Sequence, residues 1–212
     1  MDSRLADLSV EELLRRLATD DPVPGGGSAS ALAGAMAAAL VHMVVELTAG
    51  RPASADHEGR LTEIRGAAAG LQSELLGLMQ ADAVAYASVV AARRLPRETD
   101  RDREARRIQL DAAVREATGS PLSIVRRAAE VLVLAEELAP IGNRNAVSDV
   151  GVAGLLASAA IRGAAVNVEI NLPSLPADDP LRAEARREID ELVSGLADRE
   201  RALAAAVGAR IG

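Results

Sequence analysis

Between Asp21 and Glu46 the chain carries no formal charge apart from any on His42, and the stretch is rich in alanine and glycine. A run such as Ala29–Val45 can rest in the middle of a protein core or in a bilayer. It lies near the ~17-residue lower limit for a membrane span. Alanine and glycine are only weakly lipophilic, so the segment reads as a helix buried on all sides in a core. A second apolar segment, Gly151–Ile161, is shorter and is interrupted by Arg162. Tyr86 is the sole aromatic residue. The core must therefore be built from small and branched aliphatic side chains, which let helix backbones approach closely. Two apolar helices cannot both be covered in a small bundle unless other helices or a second subunit wrap them, so a homodimer or higher oligomer is expected.

The local signals are helical throughout. Ser9 with Glu12 has the spacing of a capping box. Pro22 and Pro24 close the first helix, and Ser28 is positioned to cap the next, which runs to about Thr48. After a loop over "GRPASADHEG", one helix is expected from about Glu58 to Ala92. Arg101 to about Thr118 reads as a separate helix, "GSP" as a break, and Pro121 as the start of another. An apolar helix from about Val150 absorbs the strand-like "VNVEINL". Asp179 caps a last amphipathic helix reaching nearly to Ile211. The expectation is an all-α single domain, residues 1–212, of about seven helices with two fully buried at the centre.

Charge and composition exclude several functions. A formal net charge of −7 and the near absence of aromatics argue against nucleic-acid binding. Zero cysteines exclude thiol chemistry and disulfides and suit a reducing, cytoplasmic compartment. With His42 and His57 the only histidines, a metal site would need carboxylate help. His42, Glu46 and Asp82 form the one conceivable trio, and no metal is expected. The opening "MDSRLADLSVEELL" is acidic and helical, unlike a signal peptide.

Asp82 is the most informative single residue. It falls on a stripe with Leu61, Ile64, Ala68, Leu71, Leu75, Leu78, Tyr86 and Val89, where an aliphatic is expected. It is either a buried carboxylate satisfied by an arginine, a sign that the stripe drifts to the surface, or a general acid/base whose pKa is raised by an apolar pocket. Tyr86 lies one turn on, as a core residue or a site residue. "IGNRNAVSDVG" gathers Asn143, Arg144, Asn145, Ser148 and Asp149, more polar groups than one helix cap needs. Asn167 and Asn171 share a helix face, which suggests inter-helix hydrogen bonds or ligand contact. "PVPGGGSAS" lacks the lysine and the preceding strand of a phosphate loop. The free amides of Gly25, Gly26, Gly27 and Ser28 can still face a carboxylate or carbonyl.

In order and spacing, "PVPGGGSASALAGAMAAALVHMVVELTAG", "DAVAY", "LPRET" and "NAVSDVGVAGLLASAAIRGAAVNVEINL" resemble the cyclodeaminase/cyclohydrolase family of folate one-carbon metabolism, over roughly residues 5–205. That family includes the cyclodeaminase half of bifunctional formiminotransferase–cyclodeaminases and free-standing methenyltetrahydrofolate cyclohydrolases. The resemblance implies an all-helical, dimer-forming fold that binds folate near the subunit interface. It implies catalysis by Asp82 and substrate contacts from Gly25, Gly26, Gly27 and Ser28 and from Asn145, Ser148 and Asp149. Tyr86, Asn167 and Asn171 join these from the residue reading. No cofactor beyond the tetrahydrofolate substrate is expected. The contrasting expectation is a non-catalytic helical folate-binding or scaffold protein.

Overall fold

Ser9 accepts a hydrogen bond from the Glu12 amide at 3.1 Å and starts α1 (Val10–Leu17). Only half of the capping box forms, because the Glu12 carboxylate turns to Arg15 and Arg16 instead. The computed structural model describes residues 4–211, so Met1–Ser3 and Gly212 of the expected 1–212 domain lie outside the described residues. The remaining helices are α2 (Gly26–Thr48), α3 (Glu58–Arg93), α4 (Asp100–Leu138), α5 (Val147–Asn171), α6 (Pro180–Ser194) and α7 (Leu196–Ile211). Short 3-10 turns cover Leu5–Asp7, Pro52–His57, Arg144–Ala146 and Leu172–Ser174. The second of these occupies the stretch read as a loop. Among the described residues there is no strand, and "VNVEINL" is helical.

The seven helices are divided differently from the expected seven. The separate helices expected before and after Pro121 are one continuous α4, opened by a full capping box between Thr99 and Asp102. Pro121 has no N–H, so the carbonyl of Ala117, four residues back, loses its helical partner. The Asn171 side chain donates to that carbonyl at 2.7 Å. With the freed acceptor satisfied and Pro121 itself buried, the helix continues. The final helix, by contrast, is split at Gly195 into α6 and α7. Asp179 does cap α6, accepting from the Leu181 amide at 2.9 Å.

At the centre α2 and α5 lie antiparallel. A β-carbon on Gly26 would meet Asn167, one on Gly163 would meet Ser30, and one on Gly34 would come within 3.5 Å of Ala160. Ala31, Ala37, Ala38, Ala157, Ala160 and Ala164 on these helices are fully buried. At each of these contacts one partner is glycine, which brings the two backbones close, and α3 and α4 close the bundle around them. Leu75 of α3 fills the notch at Gly34, 3.2 Å from where a β-carbon would sit. By length and composition α2, α3 and α5 are each apolar enough to cross a membrane. In this fold the inner faces of α2 and α5 are packed on each other, while their outer edges leave Met36, Met43, Leu155 (66% exposed), Val166 and Ile170 (73% exposed) uncovered.

Candidate functional site

Helix α2 begins three residues earlier than the sequence suggests. Gly25, not Ser28, is the N-cap of α2, and Ser28 sits inside the first turn. A glycine cap offers no side chain to the free amides at the helix start. Asp82 of α3 supplies a carboxylate there: Ser28 Oγ lies 3.3 Å from Asp82 Oδ2, and the Ser28 backbone N–H also faces the carboxylate. Ser28 Oγ lies closer, at 2.9 Å, to the carbonyl oxygen of Met79. The hydroxyl has one proton to donate. When it donates to Met79, its lone pairs face Asp82 and can accept a hydrogen bond from a neutral carboxyl. When Asp82 is ionised, the hydroxyl can rotate to it.

Burial pushes the Asp82 pKa up, while the Ser28 hydroxyl and amide pull it down; burial is the larger effect. No arginine neutralises Asp82 among the described residues, so the paired-carboxylate alternative does not hold. The stripe has not drifted out either. It passes from Leu75 through Met79 to Val89, and Asp82 is half-buried between them. A carboxyl whose pKa is raised by burial and opposed by hydrogen bonds can both take and return a proton.

This carboxyl opens into a cavity of about 420 Å³ bounded by the loop before α2, the C-terminal half of α3, the middle of α4 and the C-terminal end of α5. Gly25, Gly26, Gly27, Asp82, Tyr86, Asn167 and Asn171 all line it, with Ser28 buried directly behind Asp82. Gly27 is required by close approach, since a β-carbon there would overlap the Asp82 carboxylate. Gly26 faces the Asn167 amide at 3.3 Å from where a β-carbon would lie, and Gly25 is not crowded. Tyr86 is 39% exposed and is not the core residue that one reading allowed. Asn167 Nδ2 donates to Gly163 O at 2.7 Å within its own helix, and Asn171 Nδ2 donates to Ala117 O. Each amide nitrogen uses one of its two N–H groups in this way, and each Oδ1 remains open as an acceptor. Where the carboxylate and these oxygens face the cavity, they suit N–H donors or positive charge on a ligand.

Asn145, Ser148 and Asp149 do not join this group within one chain. They sit at the start of α5, and Ser148 is 19 residues from Asn167, about 28 Å along the helix. Asn145 and Ser148 are exposed. Asn143 ties this turn to the end of α2 through Leu47 O at 2.9 Å and accepts from the Asn145 amide at 3.0 Å. Part of the polar cluster is thus turn chemistry. The His42–Glu46–Asp82 trio is also separated: His42 Nε2 is 3.4 Å from Glu46, but both lie more than ~20 Å along α2 from the glycine run. Arg93 was missed and lines the cavity. Its signal was present, because residues 82, 86, 89 and 93 continue one helical face.

A larger groove of about 930 Å³ lies between the outer halves of α3 and α4, but alanines make up much of its lining. Polar groups converge on the smaller cavity, and this is the candidate site.

The chain is similar to known proteins over most of its length. The family described as Formiminotransferase-cyclodeaminase matches residues 9–191. A methenyltetrahydrofolate cyclohydrolase of Methylorubrum extorquens is 41% identical over 187 residues, covering 88% of this chain and 89% of that protein. A formimidoyltransferase-cyclodeaminase of Rattus norvegicus is 31% identical over 189 residues, 89% of this chain but 35% of that protein. The chain therefore spans about a third of the bifunctional relative. Among solved structures, a formiminotetrahydrofolate cyclodeaminase from Thermotoga maritima superposes with a TM-score of 0.86 at 26% identity, covering 98% of this chain and 100% of that one.

Proposed function

The chain belongs to the formiminotransferase-cyclodeaminase family, and we propose that within it this chain is an enzyme hydrolysing 5,10-methenyltetrahydrofolate. It acts in folate one-carbon interconversion at N5 and N10. The observation that carries the reading is the Asp82 carboxyl, its pKa raised by burial, opening into a cavity that Asn167 and Asn171 also line. The 41% identical cyclohydrolase, matched over most of both chains, favours water addition.

Water adds to the cationic methenyl carbon, and ionised Asp82 takes the proton that the water loses. The same carboxylate offsets the positive charge of the bridging carbon before attack. The hydroxyl adduct then loses its proton, the N5–carbon bond breaks, and N5 receives a proton from Asp82. The products are 10-formyltetrahydrofolate and one proton. Asn167 and Asn171 offer their Oδ1 atoms to the N–H edges of the pterin. Acid–base groups and water suffice for these steps, so no cofactor beyond the folate substrate is proposed.

The full-length match to the Thermotoga maritima protein favours a second reading, cyclodeamination. There N10 of 5-formiminotetrahydrofolate attacks the formimino carbon, Asp82 takes the N10 proton, and ammonia leaves after protonation. Methenyl absorbance separates the two, since it disappears with 5,10-methenyltetrahydrofolate and appears with 5-formiminotetrahydrofolate. Turnover of neither substrate would reject the enzyme reading in favour of a folate-binding or scaffold protein.

We also propose a cytoplasmic homodimer. The exposed edges of α2 and α5 supply apolar contact surface, and the lack of cysteine suits a reducing compartment. Sedimentation tests the dimer. Mixing Asp82→Asn with a separately inactivated Asp149→Ala chain tests a shared site by recovered activity.

A further inference from the structure

We propose that Arg93 anchors the glutamate carboxylates of the substrate and so sets its preference for glutamate-bearing folates. This inference rests on the folate reading above. Among the residues lining the cavity, Arg93 carries the only cationic side chain. Arg107, Arg115 and Arg126 are held by Glu104, Asp179 and Glu188, but Arg93 has no carboxylate partner among the described residues. The other feature able to attract an anion, the N-terminus of α2, already faces Asp82. In a chain of net charge −7, an anionic tail entering this cavity has one place to be neutralised.

The spacing fits. Arg93 lies eleven residues beyond Asp82 on the same face of α3, about 16 Å along the axis. Long side chains on a helix lean toward its N-terminus, which recovers roughly one turn, ~5 Å, of that separation. The remaining gap is close to what an aminobenzoyl ring and an amide span between N10 and the glutamate. Val89 of α3 and Val114 of α4 line the cavity on that path and offer apolar contact to the ring. With the one-carbon unit at Asp82 and the tail at Arg93, the substrate has a single orientation.

Arg93 is also in the last turn of α3, where a cation favours the helix dipole. A purely structural role would change stability but not substrate preference. The test compares KM for the turned-over folate with KM for its pteroate counterpart, which lacks glutamate. The wild type is expected to need about tenfold more pteroate, the loss appropriate to one partly exposed charged contact. In Arg93→Gln that ratio should fall toward one through a higher KM for the folate, and Arg93→Lys should retain part of the ratio. A ratio near one in the wild type, or an unchanged ratio in Arg93→Gln, overturns the Arg93 assignment and leaves the folate reading standing. Turnover of neither folate by the wild type overturns both.

Discussion

Gly27 and Asp82 share one space: a β-carbon on the glycine would overlap the carboxylate across the α2–α3 contact. The atom in the way is the end of an aspartate side chain rather than backbone, so the fold can absorb an alanine while the carboxylate moves. Gly27→Ala is therefore expected to lower kcat by about 100-fold, the order of loss that a ~1 Å displacement of a reacting group produces. Its melting temperature should stay near that of the wild type. Gly25→Ala, whose β-carbon would have only Pro22 O nearby at 4.0 Å, should keep most activity. Equal activity in the two variants would show that Asp82 is not held in place by Gly27.

Asp82→Asn preserves shape and removes the titratable carboxyl. Turnover should drop by about 10²–10⁴, the usual contribution of a general acid/base. The variant also tests a stability sign. Burial raises the Asp82 pKa in the folded state above its unfolded value, so the folded protein holds this proton more tightly. The resulting stabilisation is present at low pH and is lost as pH rises through the folded pKa. Asp82→Asn should accordingly be no less stable than the wild type at neutral pH, and its relative advantage should disappear in acid. Denaturant midpoints measured at several pH values check this. The opposite trend would mean that Asp82 is stabilised as an anion.

Ser28 pulls the Asp82 pKa down through its hydroxyl and its amide. Ser28→Ala removes the hydroxyl and keeps the amide, so the pKa of Asp82 should rise further. If ionised Asp82 is the base, the acidic limb of the kcat/KM profile moves to higher pH, while activity above that limb changes by less than about tenfold. A limb that stays in place would assign it to another group.

Asn171 donates to a carbonyl that Pro121 cannot reach. Asn171→Ala should destabilise the fold by about 1–2 kcal/mol, the cost of leaving a part-buried carbonyl unpaired. Pro121→Ala returns an N–H to the helix and relieves the need for that donor. In the Pro121→Ala background the same asparagine substitution should cost less than about 0.5 kcal/mol. A urea-unfolding double-mutant cycle measures the coupling. Additive effects would show that the asparagine is not compensating for the proline.

These relationships divide what could be read from the chain from what could not. The all-helical architecture was legible because apolar period, caps and breakers are local properties of helices. Asp82, Tyr86, Asn167 and Asn171 stood out for a local reason too, since each breaks a pattern that its neighbours set. The family was legible in its glycine, aspartate and asparagine motifs. Local signals failed where a distant group intervened. Pro121 reads as a break because its missing N–H is visible in sequence, while the Asn171 side chain that meets the freed carbonyl is fifty residues farther on. Ser28 reads as a cap because the carboxylate facing the start of α2 belongs to α3. Asn145, Ser148 and Asp149 resemble the other candidates in chemistry, yet α5 carries them to the opposite end of the bundle. Local patterning along the chain marks the all-helical character and the residues that are chemically out of place. The antiparallel packing of α2 against α3 and α5 decided which of those residues share a cavity, because that depends on helix direction and close backbone approach, and neither is encoded within a single turn.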